Sequence, residues 1–99
     1  LGAYNISKAA DVMIVKNIAT EFGHKNIRAN SIAPGLTKTD FAKALWENPE
    51  ILKSVLGTTP MKRIGEPDEI AGVAVMLASD AGNYINGQTI VVDGGTTIA

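Results

Sequence analysis

The fold is restricted most by a β-branched run near the end of the chain, Thr89-Ile90-Val91-Val92. The run follows a turn at Asn86-Gly87 and ends at Asp93-Gly94-Gly95. A short continuous run of this kind predicts a strand that is buried on both faces. Such strands belong to parallel sheets with helices on both sides, so we expect an α/β fold.

The first part of the chain predicts a long helix over residues 2–22. Its apolar residues form two stripes, Ile6, Ala10, Met13, Ile14 and Ile18 on one and Val12, Val15, Ala19 and Phe22 on the other. A helix with two apolar stripes is expected to be buried on more than one side. Gly23 is expected to end the helix in the left-handed conformation.

The other segments continue an alternation of helices and strands. Residues 27–33 predict a strand that stops at Pro34-Gly35, where bare backbone would let a ligand approach. Glu66-Pro67 begins a helix whose apolar stretch, 70–78, predicts burial on most sides. The order of helix, strand, two short helices, helix and strand builds a parallel sheet with right-handed crossovers.

The segment 36–64 is less regular and predicts a lid. A short helix is expected between Asn48-Pro49-Glu50 and Gly57, because a cap followed by proline and an acid starts helices. Short helices that carry aromatic residues between regular elements are typical of a lid over a binding site. The segment contains Phe41, Leu45 and Trp46. Alternatively, Phe41 and Trp46 close the core from one side.

Tyr4 and Lys8 are candidates for acid–base chemistry. Four residues apart on a helix, they lie on the same face, one turn from each other. An ammonium group about 5 Å from a phenol favours the phenolate by roughly 3 kcal/mol at an effective dielectric constant of about 20. That would bring a tyrosine within range for proton transfer. The spacing also arises by chance in many helices, in which case both are ordinary surface residues.

Composition argues against several classes of function. The 99 residues carry a net charge of −1 and a pI of about 5.7, so we expect neither nucleic acid nor an anionic membrane as a partner. The absence of cysteine excludes a thiolate nucleophile and fits a reducing, cytoplasmic environment. His24 is the only histidine, and no carboxylate cluster has ligand spacing, so we expect no metal site.

Four segments occur in a fixed order: Tyr4-Asn5-Ile6-Ser7-Lys8-Ala9-Ala10, Ile27-Arg28-Ala29-Asn30-Ser31-Ile32-Ala33-Pro34-Gly35, Gly65-Glu66-Pro67-Asp68-Glu69-Ile70-Ala71 and Ile85-Asn86-Gly87-Gln88-Thr89-Ile90-Val91-Val92-Asp93-Gly94-Gly95. Together they resemble the C-terminal half of a short-chain dehydrogenase/reductase, and the match covers essentially all of the chain. The resemblance implies that residues 1–99 are the C-terminal half of a Rossmann-like, doubly wound parallel sheet in one NAD(P)-binding domain. This part would supply the active-site helix, the last two strands and a substrate lid over about 36–64.

The resemblance also implies the interconversion of a small-molecule alcohol and a carbonyl with NAD or NADP. Tyr4 would pass a proton to or from the substrate oxygen while hydride moves to or from the nicotinamide. Lys8 would favour the phenolate and, with Tyr4, contact the nicotinamide ribose. The segment 34–39 matches the family's Pro-Gly-x-x-x-Thr pattern, so the cofactor would be bound by Pro34, Gly35, Thr37 and Thr39. Backbone at Thr37 and the Thr39 hydroxyl would hold the nicotinamide carboxamide. Phe41, Leu45 and Trp46 would belong to the substrate lid.

The choice of cofactor and the substrate stay open. The glycine-rich turn, the residue that chooses between NAD and NADP, and the serine and asparagine of the active site would lie upstream of residue 1. Since the chain begins at Leu1, without methionine, we expect it to be a piece of a longer protein and inactive alone. The alternative is a non-catalytic fragment that serves as a structural or interaction module. Similar sequences act on carrier-protein-linked ketones, sugars and polyols, or lipophilic carbonyls, and segment 33–46 looks most like the last group.

The resemblance further implies a homotetramer. An apolar helix stripe and an open sheet edge are liabilities in a monomer. We expect Val12, Val15 and Ala19 at one interface, and Ile90 and Val92 near another. The alternative is that an upstream half of the protein covers these residues.

Overall fold

The computed structural model describes residues 2–98 and has the predicted α/β order. The elements are α1 (Gly2–Phe22), β1 (Ser31–Pro34), α2 (Lys43–Trp46), α3 (Pro49–Thr58), α4 (Pro67–Ala78) and β2 (Thr89–Val92). Short 3-10 turns follow α1, α4 and β2. The prediction of a single domain over 1–99 includes the first and last residues, which lie outside the described residues.

The chain divides into two compact units. The first comprises residues 2–31 and 75–90, and the second comprises residues 32–74 and 91–98. The division runs through β1 and β2, which are neighbours in a two-stranded sheet. The sheet is parallel, because Ser31 N donates to Gln88 O at 2.8 Å and Gly35 N donates to Val92 O, four residues further along both strands, at 2.9 Å.

Burial is lower than the apolar pattern predicts. In β2, Val91 is 50% exposed while Ile90 and Val92 are half-buried, so the prediction of a strand buried on both faces is wrong for the described residues. The helices α1 and α4 are also largely exposed, with Ile14 at 53% and Val75 at 66%. The reason is geometric: the described residues cover only one face of each element, and the pattern of apolar residues does not say what covers the other.

The end of α1 differs from the prediction. Gly23 does not adopt the left-handed conformation; it begins a 3-10 turn, Gly23–Lys25. The left-handed residue is Asn26, with φ 59°, and its N–H donates to Gly23 O at 3.0 Å. The 3-10 turn thus adds three residues to the helical path before the chain changes direction at Asn26. Asparagine tolerates the left-handed region better than most residues, so it can take this position.

The segment before β1 is held by side-chain hydrogen bonds and by one backbone bond, outside the strand pairing. The predicted strand over 27–33 is therefore too long at its start, since β1 begins at Ser31. The Asn86 side chain replaces the missing ladder: its Oδ1 accepts from Ala29 N at 3.0 Å, and its Nδ2 donates to Ala19 O at 3.3 Å. Gly87 follows with φ 73°, a conformation that favours glycine, and its N–H donates to Ala29 O at 2.7 Å.

The second unit contains the two predicted short helices. Asn48 caps α3 as expected, because its Oδ1 accepts from Glu50 N at 3.0 Å and from Ile51 N at 3.2 Å. α3 ends at Thr58, one residue beyond the predicted Gly57. Thr59 is 3% exposed, and its hydroxyl donates to Val55 O at 2.8 Å, which fixes the chain as it leaves the helix.

Candidate active site

Tyr4 and Lys8 form a close pair on the exposed side of α1, in the first unit. The Lys8 Nζ lies over the Tyr4 ring, 5.4 Å from its centroid, as in a cation–π contact. Tyr4 is 61% exposed, so its hydroxyl can be reached by a small molecule. The same ammonium lies 4.0 Å from the Asp11 carboxylate, one turn further along the helix. The predicted spacing thus brings the two side chains together, and the Lys8 ammonium lies between the Tyr4 ring and the Asp11 carboxylate.

The segment 34–39 lies in the second unit and is held by backbone contacts on two sides. Gly35 N donates to Val92 O at 2.9 Å. On the other side, Thr37 and Gly65 form a parallel bridge, in which Lys38 N donates to Gly65 O and Gly65 N donates to Leu36 O, each at 2.9 Å. The predicted cofactor residues Pro34, Gly35, Thr37 and Thr39 therefore belong to one fixed stretch of chain.

Gly35 is required by close packing of the backbone. A Cβ added at Gly35 would lie 2.8 Å from the Asp93 Cβ and 2.9 Å from its Cα. Real Cβ atoms do not approach backbone so closely, so any other residue would push the two strand ends apart. The Thr37 hydroxyl donates to Gly35 O at 3.0 Å and closes the turn.

Thr39 joins this segment to the predicted lid. Its hydroxyl oxygen accepts from Ala42 N at 3.2 Å, and its main-chain carbonyl accepts from the Trp46 indole Nε1 at 2.8 Å. The first bond uses an oxygen lone pair, so the hydroxyl proton can donate to a ligand.

The three predicted lid residues have different environments. Phe41 is 101% exposed and Leu45 is 46% exposed, whereas Trp46 is half-buried. Phe41 therefore does not belong to the core that the described residues form. Trp46 is anchored instead, by the bond to Thr39 and by the Lys38 Nζ, which lies 5.2 Å from the ring centroid.

Two acidic side chains of the second unit were not singled out in the sequence. The Arg63 guanidinium donates to both carboxylate oxygens of Glu69 at 2.6 and 2.8 Å, and with Glu66 N it lowers the pKa of Glu69 to about 2. Partial burial raises the pKa of Asp93, but hydrogen bonds from Thr97, Gly95 and Thr96 outweigh it and hold that pKa below its ordinary value. Arg63 and Glu69 are six residues apart, which is not a helical spacing, so no local pattern signals the pair.

Residues 2–98 contain neither a bilayer-spanning helix nor a metal-binding cluster. None of the helices there combines the length and the apolar character that a bilayer crossing requires. Within the same residues, no three side chains of His, Cys, Asp or Glu gather as a metal site requires.

Comparison with known proteins agrees with the motif order. The family model described as enoyl-(acyl carrier protein) reductase matches residues 1–97. Dehydrogenase/reductase SDR family member 4 of Bos taurus is 46% identical over 96 residues, which cover 97% of this chain and 34% of that protein. The chain therefore spans about a third of the length of this relative.

Solved structures confirm the fold. Gluconate 5-dehydrogenase of Burkholderia cenocepacia, in complex with NADP and tartrate, superposes with a TM-score of 0.91 at 38% identity, over 97% of this chain and 38% of that one. A 4-hydroxyisoleucine dehydrogenase in complex with NADH gives a TM-score of 0.94 at 34% identity, over 99% of this chain and 40% of that one. The predicted doubly wound α/β fold is thus confirmed for the part that the chain covers. From the family model and these relatives, the chain belongs to the short-chain dehydrogenase/reductase family of oxidoreductases.

Proposed function

We propose that the chain is the C-terminal part of an NAD(P)-dependent oxidoreductase that interconverts an alcohol and a carbonyl. The observation that carries the proposal is the exposed Tyr4 hydroxyl on the same helix face as the Lys8 ammonium, 5.4 Å from the ring centroid. Tyr4 gives a proton to the carbonyl oxygen during reduction and takes it from the alcohol during oxidation. NAD or NADP supplies or accepts the hydride; relatives in complex with NADH and with NADP support both.

The residues present fit a nicotinamide nucleotide. The Lys8 ammonium is a triple donor on an exposed side chain, which suits the ribose hydroxyls. In the second unit, the Thr39 hydroxyl can donate to a carboxamide oxygen, and backbone at Thr37 completes the set. The backbone contacts of Gly35 and Gly65 hold these groups before the cofactor arrives, which lowers the entropic cost of binding.

The proposal extends to the class of substrate, the oligomeric state and the cellular compartment. We infer that α2 and α3 form the substrate lid, and the exposed Phe41 and Leu45 favour a lipophilic carbonyl over a sugar. A homotetramer in the cytoplasm remains our expectation for the whole protein. One predicted interface residue is wrong, because Ala19 is only 8% exposed and a Cβ added at Gly87 would lie 3.2 Å from the Ala19 Cβ. The exposed apolar side of α1 is instead formed by Ile6, Met13 and Ile14.

Substitution of Tyr4 tests the function. In the full-length protein that contains this chain, Tyr4→Phe should lower the turnover of carbonyl reduction by about 100-fold to 10,000-fold, because the ring remains and only the transferable proton is lost. Cofactor affinity, measured by calorimetry, should change little. Tyr84→Phe is the matched control, since Tyr84 is the other tyrosine of the chain and is 103% exposed. A Tyr4→Phe enzyme that keeps more than about a tenth of the rate would exclude Tyr4 as the general acid.

Substitution of Lys8 separates its two roles from a surface role. Lys8→Met should weaken cofactor binding and lower turnover, because it removes the ammonium that is offered to the ribose hydroxyls and lies beside the Tyr4 ring. Lys16→Met, on the same helix, serves as control. If Lys8→Met changes neither quantity, the pair is an ordinary surface contact, and the non-catalytic module becomes the better interpretation.

A further inference from the structure

The lid helix α2 and the segment 34–39 meet at Thr39. Its main-chain carbonyl accepts from Trp46 Nε1 at 2.8 Å and from Ala42 N at 3.2 Å. Its hydroxyl oxygen accepts from the same Ala42 N at 3.2 Å. These bonds come from the turn and helix that follow Thr39, whereas its N–H donates to Thr37 O at 2.8 Å, so the carbonyl and the hydroxyl of this residue depend on where α2 sits.

The Trp46 indole is fixed at its edge and on its face. The edge donates to Thr39 O, and the Lys38 ammonium lies 5.2 Å from the ring centroid. The Lys38 backbone is itself held, because its N–H donates to Gly65 O at 2.9 Å. Phe41, five residues earlier, makes a contrast because it is fully exposed. Of these two aromatic side chains, Trp46 is therefore the one that is hydrogen-bonded to the segment 34–39.

We propose that Trp46 is a positioning residue that orients Thr39 toward the nicotinamide and so couples the position of α2 to cofactor binding. This rests on the proposed function, because Thr39 is the group offered to the carboxamide. Trp46 acts through Thr39 and need not touch the cofactor or the reacting atoms. Ala42 N donates to both the carbonyl and the hydroxyl oxygen of Thr39, each at 3.2 Å, so a shift of the carbonyl after loss of the indole bond also disturbs the bond that orients the hydroxyl. The cofactor then meets a misdirected donor even before any substrate is present.

The test is cofactor affinity without substrate. In the full-length protein, Trp46→Phe removes the indole N–H and keeps an aromatic ring. We expect the Kd for NADH or NADPH, measured by calorimetry, to rise about two- to tenfold, the range expected for one lost hydrogen bond. Tyr84→Phe is the matched control and should leave the Kd unchanged, because Tyr84 is fully exposed and has no part in the proposed site. A substrate-contacting Trp46 would instead raise the substrate KM with no change in cofactor Kd, and a merely structural Trp46 would lower only the Tm; either result overturns the proposal.

A second variant covers the case in which Trp46→Phe does not fold. Lys38→Met keeps the indole N–H but removes the cation from the ring face. We expect a smaller rise in cofactor Kd and a shift in Trp46 fluorescence emission; Trp46 is the only tryptophan of this chain. Unchanged emission together with unchanged Kd would refute the coupling. A wild-type protein that binds neither NADH nor NADPH refutes the proposed function itself, whereas equal binding by the wild type and Trp46→Phe refutes only the role of Trp46.

Discussion

Gly35→Ala is the substitution whose effect follows most directly from the structure. The new Cβ would lie 2.8 Å from the Asp93 Cβ and 2.9 Å from the Asp93 Cα. The nearest of these atoms are at or next to the backbone and cannot rotate away, so the two strand ends must separate. Separation weakens the hydrogen bond from Gly35 N to Val92 O, which is 2.9 Å long.

The two effects set the size of the loss. Overpacking in a well-packed region costs roughly 1–3 kcal/mol, and loss of the hydrogen bond costs about 1 kcal/mol more. We therefore expect the free energy of unfolding to fall by roughly 2–4 kcal/mol. In a protein of about 150–250 residues, that corresponds to a Tm lower by roughly 5–15 °C. Because the shift moves the segment 34–39, cofactor affinity should fall as well.

Urea unfolding and calorimetry measure the loss, with Gly72→Ala as control. Among residues 2–98, no atom beyond its chain neighbours and the backbone of α4 itself lies within 4 Å of a Cβ added at Gly72, in the interior of this helix. That substitution should stabilise the protein by about 0.5–1 kcal/mol, since alanine favours helix over glycine. The opposite signs separate close packing from a general effect of adding a methyl group. A Gly35→Ala protein as stable as the wild type would show that the strand ends tolerate the added atom, and the packing argument would be wrong.

Three further predictions concern stability and assembly. The folded-state pKa of Glu69 is about 2, against an ordinary 4.5, so ionised Glu69 stabilises the fold above pH 4.5 and this stabilisation is lost as the pH falls toward 2. Glu69→Gln should therefore flatten the pH dependence of the free energy of unfolding in that window, measured with urea. At high salt the change should be small, because the pair of Glu69 and Arg63 is exposed. Asn86→Ala should lower the free energy of unfolding by about 1–3 kcal/mol, because Ala29 N and Ala19 O both lose a partner; a loss below about 0.5 kcal/mol in denaturant titration would contradict the bridging role. Light scattering of the full-length protein should give a tetramer mass that Ile14→Glu reduces and Lys16→Glu does not; a monomeric wild type would rule out the assembly.

Local signals predicted the helices and the second strand well. The bounds of α1 and β2 follow from apolar periodicity and from the turn residues around them. The start of α3 follows from the Asn48 cap and the proline after it. These features depend on neighbours in the chain, so they can be read without knowing the tertiary structure.

The failures share a long-range cause. The predicted strand over 27–33 starts too early because Ala29 N bonds to Asn86, 57 residues away. The identity of that partner is invisible in the local pattern, which shows only an asparagine before a glycine. Burial was overestimated for the same reason, as with Val75 and Val91, since an apolar run does not specify what covers each face.

The reason for glycine at position 35 differs between the sequence and the structure. The sequence predicts that Pro34-Gly35 leaves bare backbone for a ligand. The structure shows a different reason for glycine: a Cβ added at Gly35 would lie less than 3 Å from the Cα and Cβ of Asp93. Gly35, Gly65 and Thr39 each tie the segment 34–39 to a different neighbour: β2, the loop before α4, and the lid. The proposed cofactor contacts would then be oriented by backbone bonds that any sequence could make, once glycine permits the approach. This explains why the Tyr4 and Lys8 side chains signal chemistry in the sequence, whereas the groups that would position the nicotinamide are signalled mainly by a glycine.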